Sequence, residues 1–264
     1  MKLTELIGIL ERELPTGAAI AGDRTGLQLQ SGRTDVSSIL VAYELTPAVV
    51  REAVSLGADC IIAFHPLIFT PLTAITELDR VGSIVTELIK NSIALIVVHT
   101  IFDCHPQGTS YKLAQALGFK PRGPIFPDAE RPGYGMGVIA NCPSALQGKA
   151  LAALLAEKLG SPVKYAEGRD YPIKTVAIIG GSGGSFLAEI ENMGFDAFIT
   201  ADISYHTFHR VSGRTWLFDP GHYETESLVA SALADLLFNI LPGENLLTIN
   251  TSSISTNPVR YAIG

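Results

Sequence analysis

Cysteine is scarce in this sequence, and its three cysteines are far apart. Cys60, Cys104 and Cys142 allow neither a disulfide framework nor a Cys-x-x-Cys metal clip, so we expect reduced, mostly buried thiols. Apolar residues make up 47% of the 264 residues and charged residues 17%, a composition that excludes disorder as the default state. The chain is therefore expected to fold around a sizeable hydrophobic core.

Long hydrophobic runs are also missing. The longest apolar runs, such as Ile93–Val98, are far shorter than the roughly 20 residues that a bilayer core requires. The apolar stretch Leu6–Leu10 is followed at once by three charged residues, which is not typical of a signal peptide. We therefore predict a soluble, cytoplasmic protein without a membrane span.

Positive charge is in deficit. The chain has 19 lysines and arginines against 26 aspartates and glutamates, a formal net charge of -7. Because non-specific nucleic-acid binding depends on lysines and arginines that neutralise phosphates, a nucleic-acid partner is disfavoured. A small anionic ligand is compatible with this charge if a bound cation supplies positive charge locally.

What the sequence does contain is an alternation of strand and helix patterns. In the first half, apolar runs typical of buried strands alternate with segments of helical periodicity. The predicted strands are Val36–Tyr43, Cys60–Phe64 and Ile93–Val98, and the predicted helices between and after them are Pro47–Leu56, Val81–Lys90 and Ser110–Leu117. Repeated βαβ units predict an α/β fold with a largely parallel sheet and helices on its faces.

The proline- and glycine-rich segment 120–132 predicts a domain boundary. We therefore expect two α/β units with helix-covered, largely parallel or mixed sheets. The first comprises residues 1–125 and 220–264, and the second comprises residues 126–219. A long helix, Tyr223–Ile240, is predicted to return to the first unit, and the placement of Leu246–Asn250 stays open.

Two histidines follow predicted strands directly. His65 follows Ile61–Phe64 and His99 follows Ile93–Val98. Since ligands in open α/β sheets bind outside the carboxyl ends of strands, both are placed where a site is expected. Asp103 and His105 follow in the same loop as His99, and a carboxylate beside imidazoles suits zinc, manganese or iron.

A second candidate pair opens the predicted C-terminal helix. His222 and Glu226 are four residues apart and share one helical face, whereas Glu224 points elsewhere. His105 and His209 are interpreted as ordinary loop residues. The glycine-rich stretch 180–185 lies between a strand and a helix, where either a tight turn or a phosphate contact is compatible with the sequence.

Five ordered segments resemble the NIF-three-like family, also called GTP cyclohydrolase 1 type 2 homologues, whose members bind two metal ions. The segments are Asp23-Arg24-Thr25-Gly26-Leu27-Gln28, His65-Pro66-Leu67-Ile68-Phe69, His99-Thr100-Ile101-Phe102-Asp103, Thr200-Ala201-Asp202-Ile203-Ser204-Tyr205-His206 and Gly221-His222-Tyr223-Glu224-Thr225-Glu226. The resemblance spans most of the chain.

The resemblance implies a ligand set of four residues for a divalent cation such as zinc, iron or manganese. These residues are His65, Asp103, His222 and Glu226. Phe64 stands where the family has a further histidine, and a phenyl ring cannot coordinate a cation. One or two ions per chain are therefore expected, with the second position weakened, relocated or empty.

We assign expected functions to three further residues near the carboxyl ends of the predicted strands. His99 fits a general acid or base, or a group that orients a ligand. Asp202 and His206 match a family segment and are expected to bind substrate, the alternative being a hydrogen-bonded loop and helix start.

The resemblance implies hydrolysis of a nucleotide, with opening of the guanine imidazole ring of GTP. The alternative is a non-catalytic metal-binding or regulatory assembly protein. Members of this family form toroidal homo-oligomers, so the resemblance implies a homo-oligomer, and a toroidal hexamer is expected.

Overall fold

The computed structural model describes residues 1–241 and 247–262. The chain forms two compact units. Unit 1 comprises Met1–Phe102 and Val229–Pro258, and unit 2 comprises Asp103–Leu228 with the C-terminal residues from Val259. Each unit contains a mixed sheet with helices, which confirms the predicted α/β class. No helix within the described ranges is both long and apolar enough to span a membrane.

The helices and strands are numbered here in chain order. The helices are α1 (Leu3–Glu13), α2 (Pro47–Ser55), α3 (Arg80–Lys90), α4 (His99–Cys104), α5 (Thr109–Ala116), α6 (Gly148–Leu159), α7 (Leu187–Met193), α8 (Tyr205–Val211), α9 (His222–Glu226) and α10 (Val229–Ile240). The strands are β1 (Gly26–Leu29), β2 (Ser38–Ala42), β3 (Cys60–Ala63), β4 (Ala94–Val97), β5 (Lys120–Gly123), β6 (Phe126–Pro127), β7 (Gly135–Met136), β8 (Val138–Leu146), β9 (Lys164–Ala166), β10 (Ile173–Ile178), β11 (Ala197–Ile199), β12 (Trp216–Asp219) and β13 (Thr248–Thr251).

The sheet of unit 1 has the order β1-β4-β3-β2-β13. β13, β2, β3 and β4 are parallel, and β1 pairs antiparallel with β4. Helices cover both faces of this sheet, so alternate residues of one strand pack into two different hydrophobic cores. Ile39 and Val41 pack with α1 and α10, whereas Leu40 and Ala42 pack with α2 and α3.

The sheet of unit 2 has the order β5-β8-β10-β11-β12-β9. β10, β11 and β12 are parallel, and the outer strands are antiparallel to their neighbours. Val176 and Ile178 face one core, with α5 and α6, and Ala177 and Ile179 face the other, with α7. The three parallel strands place their carboxyl ends at one edge of this sheet.

The single long helix predicted at Tyr223–Ile240 is wrong: the structure has two helices, α9 and α10, separated by Ser227 and Leu228. The Thr225 hydroxyl donates to the His222 carbonyl and the Ser227 hydroxyl donates to the Glu224 carbonyl. Such local side-chain bonds compete with the helical pattern and favour its interruption.

The boundaries between the two units differ from the predicted domain boundaries. The predicted boundaries lie near residues 125 and 220, whereas the units divide after Phe102 and after Leu228. The physical reason is that β5, which opens the proline-rich segment, pairs with β8 as an edge strand of the second sheet. An edge strand tolerates proline, here Pro121, so the composition of this segment did not mark the boundary.

The C-terminal strand completes the first sheet. β13 pairs in parallel with β2, so the open placement of residues 248–250 is resolved. Residues 242–246 and 263–264, which belong to the predicted C-terminal return, lie outside the described residues.

Candidate metal centre

His65 follows β3 at the carboxyl edge of the unit 1 sheet, as predicted. Its backbone amide donates to the Tyr43 carbonyl, and its ring lies 4.6 Å from the Tyr43 ring. Nδ1 of His65 lies 3.9 Å from Oε2 of Glu44, too far for a hydrogen bond but close enough for electrostatic attraction. The His65 ring, together with Arg80, holds the pKa of Glu44 below its usual range.

His99 follows the neighbouring strand β4, and its ring lies 5.4 Å from that of His65. Its Nδ1 lies 2.8 Å from Oδ1 of Asp23. The amide and the hydroxyl of Thr100 both donate to the other oxygen of the same carboxylate. Burial alone would raise the pKa of Asp23, but the bonds from His99 and Thr100 lower it well below its usual range. Asp23 is therefore an anion that fixes the His99 ring.

The backbone of His99 is strained, with φ at +22°. Non-glycine residues rarely adopt positive φ, and such strain concentrates at functional sites. Asp202, which belongs to unit 2, also has a positive φ, +59°. Two of the predicted site residues thus have a strained backbone conformation, and interactions with the surrounding structure must offset its energetic cost.

Gln28, in the first motif segment, forms hydrogen bonds with the segment that begins at His65. Its side-chain oxygen accepts from the Ile68 amide, and its side-chain nitrogen donates to the Ile68 carbonyl. The glutamine therefore holds the loop that follows His65 against β1. Asp23 and Gln28 belong to the first of the five motif segments, but their position in the sequence indicates no role.

Phe64 is fully buried in the core of unit 1, with its ring stacked on Tyr43 at 5.9 Å. A phenyl ring at this position contributes packing and no ligand atom. The sequence-based conclusion that Phe64 cannot coordinate a cation therefore holds, and the structure adds that the ring is a core residue.

His222 lies between two carboxylates of unit 2. Its Nδ1 lies 2.6 Å from Oδ2 of Asp202, and its Nε2 lies 3.0 Å from Oε2 of Glu226, one helical turn ahead. Glu226 is only 4% exposed. The i, i+4 spacing predicted from the sequence thus brings Nε2 of His222 and Oε2 of Glu226 together.

The charge around His222 favours a cation. The hydrogen bond with Glu226 raises the pKa of His222 to about 9, against the opposing effect of burial, and Asp202 adds to the rise. Two carboxylates around one imidazole stabilise positive charge at that place, whether a proton or a metal ion carries it. His222 and Glu226 belong to a histidine–glutamate cluster that could hold a metal ion.

Gly181 leaves space for the side chains of His222 and Glu226. It has a φ of +64°, and a Cβ atom there would lie 2.1 Å from Oε1 of Glu226 and 3.3 Å from Nε2 of His222. The amides of Gly180, Gly181 and Gly183 donate to the hydroxyls of Ser110, Thr225 and Thr200. Since these amides bind protein side chains, the structure favours the tight-turn interpretation of this glycine-rich stretch over phosphate contact.

Asp219 positions two loops of unit 2 and was missed in the sequence. Its carboxylate, 1% exposed, accepts from the amides of Ile203 and Gly221 and lies 2.6 Å from Nζ of Lys164. These amides flank Asp202 and His222. An aspartate that ends an apolar strand, Trp216–Asp219, is the signal that could have identified it.

The remaining predicted residues have different surroundings. Asp103 is the second-last residue of α4. Together with His105 and Ser110 it lines a cavity of unit 2. His206 is exposed on α8, and the roles of Asp103 in metal binding and of His206 in substrate binding stay predictions. His209, on the same helix, bonds to the Tyr205 hydroxyl, as an ordinary surface residue would.

The chain matches a known protein family over most of its length. Residues 1–258 match the family Duf34/NIF3 (NGG1p interacting factor 3). The chain is 34% identical to a GTP cyclohydrolase 1 type 2 homolog of Streptomyces coelicolor over 232 residues, covering 85% of this chain and 81% of the relative. It is 31% identical to the protein of that name from Lactococcus lactis, with 98% of each chain covered.

A solved structure has the same fold. The Staphylococcus aureus protein SA1388 superposes with a TM-score of 0.90 at 28% identity, covering 99% of each chain. The chain is therefore similar in sequence to the Lactococcus lactis relative, and in fold to SA1388, over nearly its whole length. The chain belongs to the Duf34/NIF3 (NGG1p interacting factor 3) family.

Proposed function

We propose that this protein binds a divalent metal ion through His65, Asp103, His222 and Glu226 and acts as a metal-dependent hydrolase. The observation that carries the proposal is the His222 ring, with Asp202 on Nδ1 and Glu226 at Nε2. A carboxylate that orients a histidine whose other nitrogen faces an acidic ligand is typical of metal centres.

The chemistry of the proposed ligands favours catalysis over a structural metal site. Imidazole and carboxylate ligands without cysteine suit zinc, iron or manganese and leave room for exchangeable water. A divalent cation held there would supply Lewis-acid activation of water near neutral pH. Hydrolysis is the reaction class that such a centre supports best.

The residues of unit 1 supply proton transfer. Asp23 engages Nδ1 of His99, which leaves Nε2 of this ring to exchange a proton with water or a leaving group. The hydrogen bonds from Thr100 hold the carboxylate in place, so the ring keeps one orientation. This supports the role of general acid or base proposed for His99.

The proposed substrate is a nucleotide, with GTP as the first compound to test. Support comes from the relatives that bear the name GTP cyclohydrolase 1 type 2 homolog. Asp202 and His206 are the proposed substrate-binding residues, and both lie at or after the carboxyl end of β11.

Metal content tests the binding part of the proposal. The natural chain and the variants His65→Ala, Glu226→Ala and His209→Ala are purified without chelators, and transition metals per chain are counted. His209→Ala is the matched control, because this exposed histidine bonds only to Tyr205 among the described residues. We expect metal loss in the first two variants alone. Normal metal content in both would overturn the ligand assignment.

Activity tests the catalytic part. Metal-loaded protein is incubated with GTP, and formate release and the purine absorbance are followed. We expect turnover in the natural chain and a loss of about two orders of magnitude in His99→Gln, as for a removed general acid or base. Absence of turnover, with metal bound, would overturn the hydrolase proposal for GTP and leave metal binding intact.

A second candidate function is that of a non-catalytic metal-binding or regulatory assembly protein. It is favoured by Phe64, whose buried ring stands where the resemblance implies a further ligand. We propose a homo-oligomer, a toroidal hexamer, in the cytoplasm as its form. Sedimentation of the purified chain measures the assembly, and metal retention without turnover of any nucleotide would favour this function.

A further inference from the structure

Unit 2 contains a cavity of about 210 Å³ that shares Asp103 with the proposed metal site and whose other lining residues have no role in the proposed function. It is lined by Asp103, His105, Ser110, Tyr111 and Arg122 and otherwise mostly by prolines and glycines. Pockets for drug-sized ligands have volumes of about 300 to 1,000 Å³. The cavity therefore fits one small chemical group.

Arg122 supplies positive charge at this cavity. It lies on the edge strand β5, and its guanidinium forms no hydrogen bond or ion pair with any residue in the described ranges. A guanidinium is always charged and presents several donors in a planar fork that matches oxyanions. Its donors are thus available to a ligand.

Ser110 supplies a buried donor on the same cavity. It is 3% exposed, and its Oγ accepts from the Gly180 amide at 3.1 Å. Within the part of the chain that the structure describes, its hydroxyl proton has no acceptor. A buried hydroxyl that donates to no described protein acceptor can donate to a ligand oxygen.

Ser110 also lies in the first turn of α5. The eight-residue helix begins at Thr109, and the first amides of an α-helix have no acceptor within the helix. Together with the helix dipole these amides favour negative charge. Ser110 and Tyr111 from this helix end and Arg122 from β5 all line the same small cavity.

We propose that this cavity binds a small oxyanion, the phosphate or carboxylate group of a ligand, between Arg122 and the N-terminus of α5. Asp103, on the same wall, opposes an anion by its own charge. If Asp103 binds metal as proposed, the cation offsets this charge and tightens anion binding. The cavity donors do not depend on the metal, so the oxyanion site is tested with and without it.

Calorimetric titration of the full chain tests the site. Inorganic phosphate and, separately, acetate are titrated at constant ionic strength into chelator-treated and into metal-loaded protein. We expect saturable binding of at least one of the two anions, and the tighter one identifies the group as phosphate or carboxylate.

Three variants locate the binding. Arg122→Gln should weaken anion binding about tenfold, as expected for a lost charge-assisted hydrogen bond. Arg122→Lys, which keeps the charge and loses the fork, should recover part of the affinity. Arg214→Gln makes the same change of charge on an exposed arginine that does not line the cavity, and should bind as the natural chain does.

Three results would overturn the oxyanion site. The first is the absence of saturable binding of either anion in both protein preparations. The second is an equal affinity of the natural chain and Arg122→Gln, and the third is an equal loss of affinity in Arg214→Gln, which indicates a general charge effect. Loss of metal binding alone would contradict the proposed function and leave the oxyanion site standing.

Discussion

Asp23 and His99, 76 positions apart in the chain, are joined by a 2.8 Å hydrogen bond between Oδ1 and Nδ1. Asp23 is thus a positioning residue for the ring to which proton transfer is assigned. The other oxygen of Asp23 accepts from the amide and the hydroxyl of Thr100, and the Thr100 hydroxyl accepts from the Ile20 amide. A continuous network therefore connects the first motif of the sequence to the third.

The substitution Asp23→Asn should destabilise unit 1, and the size of the effect should depend on pH. The folded-state pKa of Asp23 lies below the unfolded value of about 3.9, so its ionised form stabilises the fold above about pH 4. That contribution is lost as the pH falls below this value. We expect Asp23→Asn to lower the free energy of unfolding by about 1 to 3 kcal/mol at neutral pH.

Urea unfolding at several pH values measures this effect. The difference between the natural chain and Asp23→Asn should shrink as the pH falls below about 4. Asp235→Asn, an exposed change on α10 of the same unit, is the control and should have little effect. A difference that stays constant with pH would contradict the role given to the Asp23 carboxylate.

Gly181→Ala should disrupt the His222–Glu226 pair. The added Cβ would meet Oε1 of Glu226 at 2.1 Å, and the positive φ adds strain of about 1 to 2 kcal/mol. Gly160→Ala is a matched control, since Gly160 has φ +65° and no atom within 4 Å of the added carbon.

Both glycine variants should lose stability through backbone strain, and Gly181→Ala should lose about 1 to 3 kcal/mol more through the clash. Thermal unfolding and metal content are measured for both. We expect metal loss in Gly181→Ala alone. Equal stability and equal metal content would show that the Glu226 carboxylate moves aside without cost.

Asp219→Ala should cost about 2 to 5 kcal/mol, because each backbone amide that is left without its acceptor costs about 1 to 3 kcal/mol. It leaves Lys164 without its carboxylate and the amides of Ile203 and Gly221 without an acceptor. Lys164→Met removes only the exposed partner and should cost about 1 kcal/mol or less. Denaturant unfolding of both variants checks the order, and a milder effect of Asp219→Ala would contradict the positioning role.

Phe64→His should weaken the core and test the proposed metal stoichiometry. An imidazole replaces a fully buried phenyl ring, at a cost of about 1 to 3 kcal/mol for the buried polar group. If Phe64 has removed a metal position, the metal content per chain should rise in this variant. Phe64→Leu controls for the loss of the ring, and an unchanged metal content in both would mean that position 64 does not determine stoichiometry.

Several local features of the fold followed from the sequence. Apolar runs of four to six residues predicted β2, β3 and β4, because a strand that is buried on both faces has no polar alternation. His65 and His99 follow two of these strands, which placed both at one sheet edge. The spacing of His222 and Glu226 predicted a shared helical face, since neighbours at i and i+4 are fixed by helix geometry.

Contacts between distant residues did not follow from the sequence. The pairing of Asp23 with His99 and of Asp202 with His222 joins segments 76 and 20 positions apart. The attachment of β5 to the second sheet is likewise a matter of strand pairing, which segment composition does not encode. These relationships depend on the register of the sheets.

The sequence by itself determined the α/β class, the strand-end histidines and the His222–Glu226 spacing, because each depends on local periodicity. Only the tertiary structure decided that Asp23, Asp202 and Asp219 hold these groups in place and that Gly181 leaves room for Glu226. The physical reason is that hydrogen bonds and close packing join side chains through space. The position of one residue along the chain does not specify which distant residue it meets.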